Sequence, residues 1–213
     1  MGYKEKVYNN ARKPVGFLGR NVLKKMNSGV HAVLADWGMD FLKKDSAENI
    51  LDIGCGGGRN ISVFLDRFTD AKVFGFDYSD VSVNTALKFN KKAVREGRCE
   101  VIKGDVAALP FDDGTFDLVS AFETVYFWPG PEESFRQVYR VLKDGGIFMI
   151  VNESDGDDFE SERWEKIIEG LNRYDKFQLE GYLRDVGFGS VEVHHDEERH
   201  WLALFAVKNA KGK

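Results

Sequence analysis

The stretch "SAFETVYFWPGP" (120–131) puts one carboxylate, Glu123, at the end of an apolar run and follows it with Tyr126, Phe127 and Trp128. A carboxylate in that position can orient an acceptor or take its proton, and the rings can pack on a ligand or wall off water. A plainer role, as a loop acid or a cap near the helix that starts at Pro131, is equally open to it. Upstream, "ILDIGCGGGRN" (50–60) carries glycines at 54, 56 and 58 between an apolar run and a helical pattern. Glycine accepts positive φ and leaves room above the backbone, so this turn can pass tightly beneath a bound cofactor. The N-terminal segment adds Arg20, which could pair with a carboxylate of cofactor or substrate, and His31, which could act as a base if the segment folds inward. The same two residues also suit a solvated arginine and an ordinary helix histidine.

Spacing selects among cofactors. A dinucleotide-binding G-x-G-x-x-G starting at Gly54 would need glycine at 59, where Arg59 stands, and a Walker loop would need Gly-Lys-Ser/Thr. Asp52 followed by G-x-G-x-G, then "KVFGFDYS", "GDVAALPFDDGTFDLV" and "VYRVLKDGGIFMIV" in order, resemble the successive motifs of class I S-adenosylmethionine-dependent methyltransferases. The motifs cover residues 48–151, and the resemblance extends over 152–208 by topology alone. It implies S-adenosyl-L-methionine as cofactor. It also implies that Asp77, 19 residues after Gly58, accepts the ribose hydroxyls and that Asp105 receives the adenine amino group. The remaining implied cofactor residues are Asp52, Gly54, Cys55, Gly56, Gly58, Asn60, Tyr78, Val106, Phe122 and Arg20, with Glu123 and His31 as the catalytic pair. Singly, Asp77 could cap a helix, as Ser79 is expected to, and Asp105 could be a turn aspartate.

The implied reaction is methyl transfer to a small-molecule acceptor. A non-catalytic module that binds the cofactor, and an RNA O- or C-methyltransferase, are the alternatives. Relatives that methylate exocyclic or amide nitrogens often carry Asn/Asp-Pro-Pro-aromatic after the fourth strand. Here Phe122, Glu123, Thr124 and Val125 stand instead, which counts against DNA and glutamine acceptors.

The elements that must position these residues follow from periodicity. Apolar, β-rich runs at 50–53, 73–76, 100–103, 116–121 and 147–151 alternate with helical stretches, the signature of βαβ units. Ile61, Phe64, Leu65 and Phe68 fall at i, i+3, i+4, i+7, as do Phe135, Val138, Tyr139 and Leu142, and Gly145 and Gly146 are expected to stop the second helix. After a helical run at 179–186, the runs 191–195 and 201–208 form a hairpin. The prediction is an α/β, doubly wound, seven-stranded sheet, mostly parallel with one antiparallel strand. Residues 48–213 would form this Rossmann-like domain and 1–47 a helical lid with an apolar stripe of Val30, Val33, Leu34, Trp37 and Phe41.

A chain of 213 residues with 43% apolar content can bury one sizeable core. Its apolar runs are too short to span a bilayer, and "MGYKEKVYNNARK" lacks the apolar stretch of a secretory signal, so a cytoplasmic protein without a membrane partner is expected. Cys55, Cys99 and the histidines at 194, 195 and 200 show no metal-ligand spacing, and no metal is expected. The net charge of −5 argues against a globally basic nucleic-acid binder, and DNA is not an expected partner. Residues 1–25 nonetheless carry seven Lys/Arg against one acid, leaving 23 basic and 34 acidic residues in the remainder.

Overall fold

The computed structural model describes residues 10, 12–157 and 159–210. Strands β1 (Asn49–Ile53), β2 (Lys72–Asp77), β3 (Cys99–Lys103), β4 (Phe116–Phe122) and β5 (Leu142–Asn152) pair in parallel. The hairpin of β6 (Phe188–Asp196) and β7 (Trp201–Lys208) completes a seven-stranded sheet in the order β3-β2-β1-β4-β5-β7-β6, with β7 antiparallel to both neighbours. This is the sheet that the sequence predicts. Strand order reverses between β1 and β4, and ligands of doubly wound sheets bind beyond the carboxyl ends of the strands at such a switch.

Helices cover both faces, which is why the parallel strands read as unbroken apolar runs. In chain order they are α1 (Gly16–Met26), α2 (Val30–Asp40), α3 (Arg59–Arg67), α4 (Asp80–Phe89), α5 (Lys91–Arg95), α6 (Pro131–Val141), α7 (Phe159–Ile167) and α8 (Lys176–Val186). On one face α3 buries Ile61, Phe64 and Leu65; on the other α6 buries Phe135, Val138 and Val141 and α8 buries Leu179 and Leu183. Each fully buried Phe contributes about 2–3 kcal/mol by its removal from water. Pro131 at the first turn of α6 and the acids Glu132 and Glu133 beside it suit a helix N-terminus. The helix ends at Val141, earlier than expected. Gly145 and Gly146 lie inside β5, where the pairing of β4 with β5 shifts register between Phe116 and Leu118.

Of the expected 1–47 lid, residues 1–9 and 11 lie outside the described residues. The apolar stripe of α2 is rotated from the expected one. Val30 and Val33 are 61% and 57% exposed, and the buried face is Leu34, Ala35, Gly38 and Met39, continued by Leu42. The cause is close approach to the sheet: a β-carbon at Gly38 would stand 2.6 Å from Val151 Cγ2. Trp37 meets Trp201 edge-on at 5.7 Å, and Phe41 stacks on His194 at 3.9 Å. So α2 is a packing layer of the sheet, sharing a core with Ile50, Ile61 and Phe64. Among the described residues ahead of β1, Arg12, Pro14 and, on α1, Leu23 and Met26 reach the cavity beyond the strand ends. Gly38→Val should force α2 off β5 and lower the unfolding free energy by about 1–3 kcal/mol, the usual cost of overpacking; urea denaturation at equilibrium reads this, and an unchanged midpoint would mean that the contact yields without cost.

Candidate active site

A cavity of about 350 Å³ opens beyond the carboxyl ends of β1, β2 and β4. After β1 the chain turns sharply through Gly54 (φ 74°) and Gly56 (φ 50°), in the left-handed region that glycine tolerates. Gly54 N donates to Phe76 O at 2.7 Å, which joins the turn to β2. A β-carbon at Gly54 would collide with the Thr124 side chain, so this glycine lets the turn pass under the end of β4. Gly56 borders the cavity, where a β-carbon would face Leu23 Cδ2 at 3.5 Å. Gly58 serves helix packing instead: its carbonyl accepts from Asn90 Nδ2 at 2.9 Å, and a β-carbon would sit 2.8 Å from Ala86 Cα.

Asp77, at the end of β2, locks the turn. Its Oδ2 accepts from Gly56 N at 3.0 Å and its Oδ1 from Ser79 N at 2.8 Å. Ser79 caps α4 and donates its hydroxyl to Pro14 O at 2.7 Å, while the Tyr78 hydroxyl donates to Arg12 O. Burial raises the Asp77 carboxyl above its ordinary range, the amide hydrogen bonds opposing it, and pushes the Tyr78 phenol up to about 12. Asp77, Tyr78, Asp105, Val106 and Phe122 all border the cavity. Asp105 also caps the short turn Val106–Ala108 by accepting from Ala107 N at 3.0 Å, the turn role that the sequence allows it.

Four of the expected cofactor residues stand behind the wall. Asp52 is buried, its Oδ1 accepting from Ser120 Oγ at 2.8 Å, and burial pushes its carboxyl up to about 7. Cys55 is a buried thiol whose backbone N donates to Phe76 O at 3.2 Å. Gly58 lies under α4, and Asn60 accepts from Arg59 Nη1 at 3.3 Å on α3. Arg59, the residue that interrupts the dinucleotide pattern, forks onto both oxygens of Asp36 at 2.7 Å and ties α3 to α2.

On the acceptor side, Glu123 leaves β4 with φ 57°, a left-handed conformation unusual for a side-chain-bearing residue. Its N donates to Val151 O at 2.9 Å, and its carboxylate accepts from Glu153 N. Burial first, then the Glu153 charge, push the Glu123 carboxyl well above the usual range. Glu123 borders the cavity beside Thr124, Phe127, Trp128 and Pro129, and Trp128 Nε1 donates to Thr124 Oγ1 at 3.1 Å. His31 Nδ1 stands 3.8 Å from Glu123 Oε2 and 3.8 Å from Glu153 Oε2, so the fold brings the two expected catalytic residues together. His31 is nonetheless not among the residues that border the cavity.

Arg20 is a correction. The helical repeat that turns Gly19 and Leu23 inward leaves Arg20 exposed, and the arginine bordering the cavity is Arg12. Leu23, Met26 and Asn172 also border it, and they carry no motif in the sequence. Glu153 was overlooked too, although its place just past the fifth strand is where sites of this architecture gather. The histidines of the hairpin do structural work: His195 and His200 each bond Asp155 Oδ2, at 2.9 and 3.0 Å.

The structure thus puts together a glycine turn beneath a cavity, an acid at the end of the neighbouring strand and a further acid at the end of β4. Residues 51–150 match the family described as methyltransferase domain, in line with the resemblance to the class I S-adenosylmethionine-dependent methyltransferases. A 24-methylenesterol C-methyltransferase 2 of Arabidopsis thaliana is 32% identical over 163 residues, 72% of this chain and 45% of that protein. The chain spans less than half the length of the curated relatives it matches. A chain of the complex between the Haloferax volcanii Trm112 methyltransferase activator and the putative methyltransferase superposes with a TM-score of 0.81 at 19% identity, covering 92% of this chain and 96% of that one. The phosphoethanolamine N-methyltransferase 2 of Haemonchus contortus, in complex with phosphomonomethylethanolamine and S-adenosylhomocysteine, gives 0.71 at 18% identity over 85% of this chain and 53% of that one.

The residues present suit the family's cofactor. Gly56 leaves the floor of the cavity free of a side chain, and Asp77 keeps unused acceptor lone pairs on a carboxylate already oriented by two amides. Behind it, Asp52 has a pH consequence. A carboxyl raised to about 7 in the fold favours the folded state fully below its unfolded value near 4, and that contribution is lost as pH rises to about 7. Stability should therefore fall by on the order of 4 kcal/mol across that window. Denaturant titrations between pH 4.5 and 8 should show the decline in the wild type and a flatter profile in Asp52→Asn; equal slopes would remove Asp52 as the cause.

Proposed function

We propose that the protein transfers the methyl group of S-adenosyl-L-methionine to a small, largely apolar acceptor in the cytoplasm. The observation that carries this reading is a single cavity with the Gly54–Gly56 turn and Asp77 on one side and Glu123 with Phe127 and Trp128 on the other. When bound, S-adenosyl-L-methionine supplies a methyl group activated by a positive sulfur. What the chain must add is alignment and exclusion of water, worth several kcal/mol when reacting groups are held in line.

In this reading Asp77 accepts the ribose hydroxyls, Asp105 receives the adenine amino group and Arg12, in place of Arg20, faces the amino-acid carboxylate; that all three border the cavity supports it. Phe122 and Trp128, both buried, keep the transfer region dry, and Glu123 presents a carboxyl with which to orient the acceptor or take its proton. Leu23 and Met26 on the α1 side favour an apolar acceptor. The sterol methyltransferase relative, whose named substrate is apolar, supports the same choice. Buried, unpaired Cys55 and Cys99 suit a reducing compartment.

Calorimetry with S-adenosylhomocysteine is the first test. Charge-assisted hydrogen bonds are worth about 1.5–3 kcal/mol, so Asp77→Ala should weaken binding about tenfold or more. Incubation with methyl-labelled donor and a lipid extract should then move label into an organic-soluble product. Absence of S-adenosylhomocysteine binding would sink the proposal, and tight binding with no labelled product from any extract would favour the non-catalytic alternative.

A further inference from the structure

Three side chains on three separate elements converge beside the cavity, which Glu123 alone of the three borders: His31 of α2, Glu123 after β4 and Glu153 after β5. One ligand atom from each lies within 4.8 Å of the other two, and among the described residues this is the one such group of three. Two features of the arrangement are unfavourable as they stand. The Glu123 side chain is only 10% exposed and lies against a second carboxylate, yet among the described residues no Lys or Arg pairs with either acid. A largely buried carboxylate beside a second, partly exposed one is favoured by a compensating positive charge or a shared proton. The second feature is independent of the acids. His31 Nδ1 is sealed from solvent and has no hydrogen-bond partner, although it points between the two carboxylates at 3.8 Å from each. A buried ring nitrogen without a partner is costly, and neutral imidazole nitrogen is a common metal ligand.

We propose that His31 Nδ1, Glu123 and Glu153 form a divalent-cation site whose open positions face the acceptor cavity. Donors about 2.1 Å from one ion stand about 3–3.5 Å apart, so the 3.8 Å gaps close with small side-chain rotations. One imidazole and two carboxylates suit Mn²⁺ or Zn²⁺ better than an all-oxygen cation such as Ca²⁺. The positive φ of Glu123 acquires a reason, because it turns the carboxyl out of the strand and toward its partners. Three protein ligands leave coordination positions free. Since Glu123 borders the cavity, an oxygen of the acceptor, such as a hydroxyl, carboxylate or phosphate, can fill one of them. The site does not depend on methyl transfer, because the three ligands hold the ion with or without an acceptor.

The test uses the full chain, treated with chelator and then titrated with Mn²⁺ while the electron paramagnetic resonance signal of the free ion is followed, with Zn²⁺ calorimetry in parallel. Saturable binding of one ion per chain is expected, weakened at least tenfold in Glu153→Gln and in His31→Asn. Glu153 is 42% exposed, so its amide variant should fold normally. Loss of binding in these variants, with S-adenosylhomocysteine affinity retained, supports the site. Absence of both Mn²⁺ and Zn²⁺ binding in a wild-type chain that binds S-adenosylhomocysteine overturns it, leaves the methyltransferase reading intact, and assigns the carboxyl pair to a shared proton. Binding undiminished in Glu153→Gln overturns it equally, by placing the ion elsewhere.

Discussion

The Asp77 carboxylate, held between the amides of Gly56 and Ser79, is the interaction on which the rest of the site depends. One oxygen holds the glycine turn after β1 and the other orients the first turn of α4, so a single side chain sets the spacing between two βα units. Ser79 extends the connection to Pro14, and Tyr78 extends it to Arg12, which brings the segment ahead of α1 down onto the same strand end. Charge-assisted bonds to backbone amides are strong and directional, so these loops are held in register by a carboxylate that also borders the cavity. The turn, the lid-side segment and the cofactor wall are therefore one mechanical unit.

Around this unit the fold tolerates an unusual density of buried acids. Asp52, Asp77 and Glu123 lie at or beside the ends of β1, β2 and β4, and burial raises all three. Each is satisfied differently: Asp52 by the Ser120 hydroxyl, Asp77 by two amides and Glu123 by the Glu153 amide. Burying a carboxylate costs several kcal/mol unless it is bonded. Asp52 also feels the Asp77 charge, and Glu123 lies against the Glu153 carboxylate.

Most of the sheet was legible because parallel strands buried on both faces leave plain apolar runs, and α3 and α6 because their apolar spacing is strict. The place of the glycine turn, Asp77 and Asp105 at strand ends beside one cavity was legible because they directly follow or end the apolar runs. What could not be read depended on packing across the chain. The inward face of α2 is set by contact of Gly38 with Val151, more than a hundred positions away, so Val30 and Val33 misled. The same distance hid the contribution of Arg12 and overstated Arg20. Asp52, Cys55 and Asn60 lie next to the turn in sequence but do not border the cavity, a distinction that spacing alone does not carry.

The family match over 51–150 encloses the glycine turn, Asp77, Asp105 and Glu123. Arg12, Leu23, Met26, His31, Glu153 and Asn172 all fall outside it. The cofactor half is built on strands and the turns between them, where geometry is rigid. The other half combines the loop after β4 with the helices before β1 and the connection after β5. Those helices are anchored to the rigid half by Asn27 Nδ2 to Gly57 O at 3.1 Å and by Arg59 to Asp36, while Arg12 Nη1 ties the segment ahead of α1 to Glu169 O at 2.5 Å in the connection after β5. Changes in their length or side chains can reshape the acceptor pocket without disturbing Asp77 or the turn. The cavity's outer wall therefore draws on Arg12, Leu23 and Met26 ahead of β1 and Asn172 after β5 as well as on Phe127 and Trp128 after β4, so the matched region fixes only part of it.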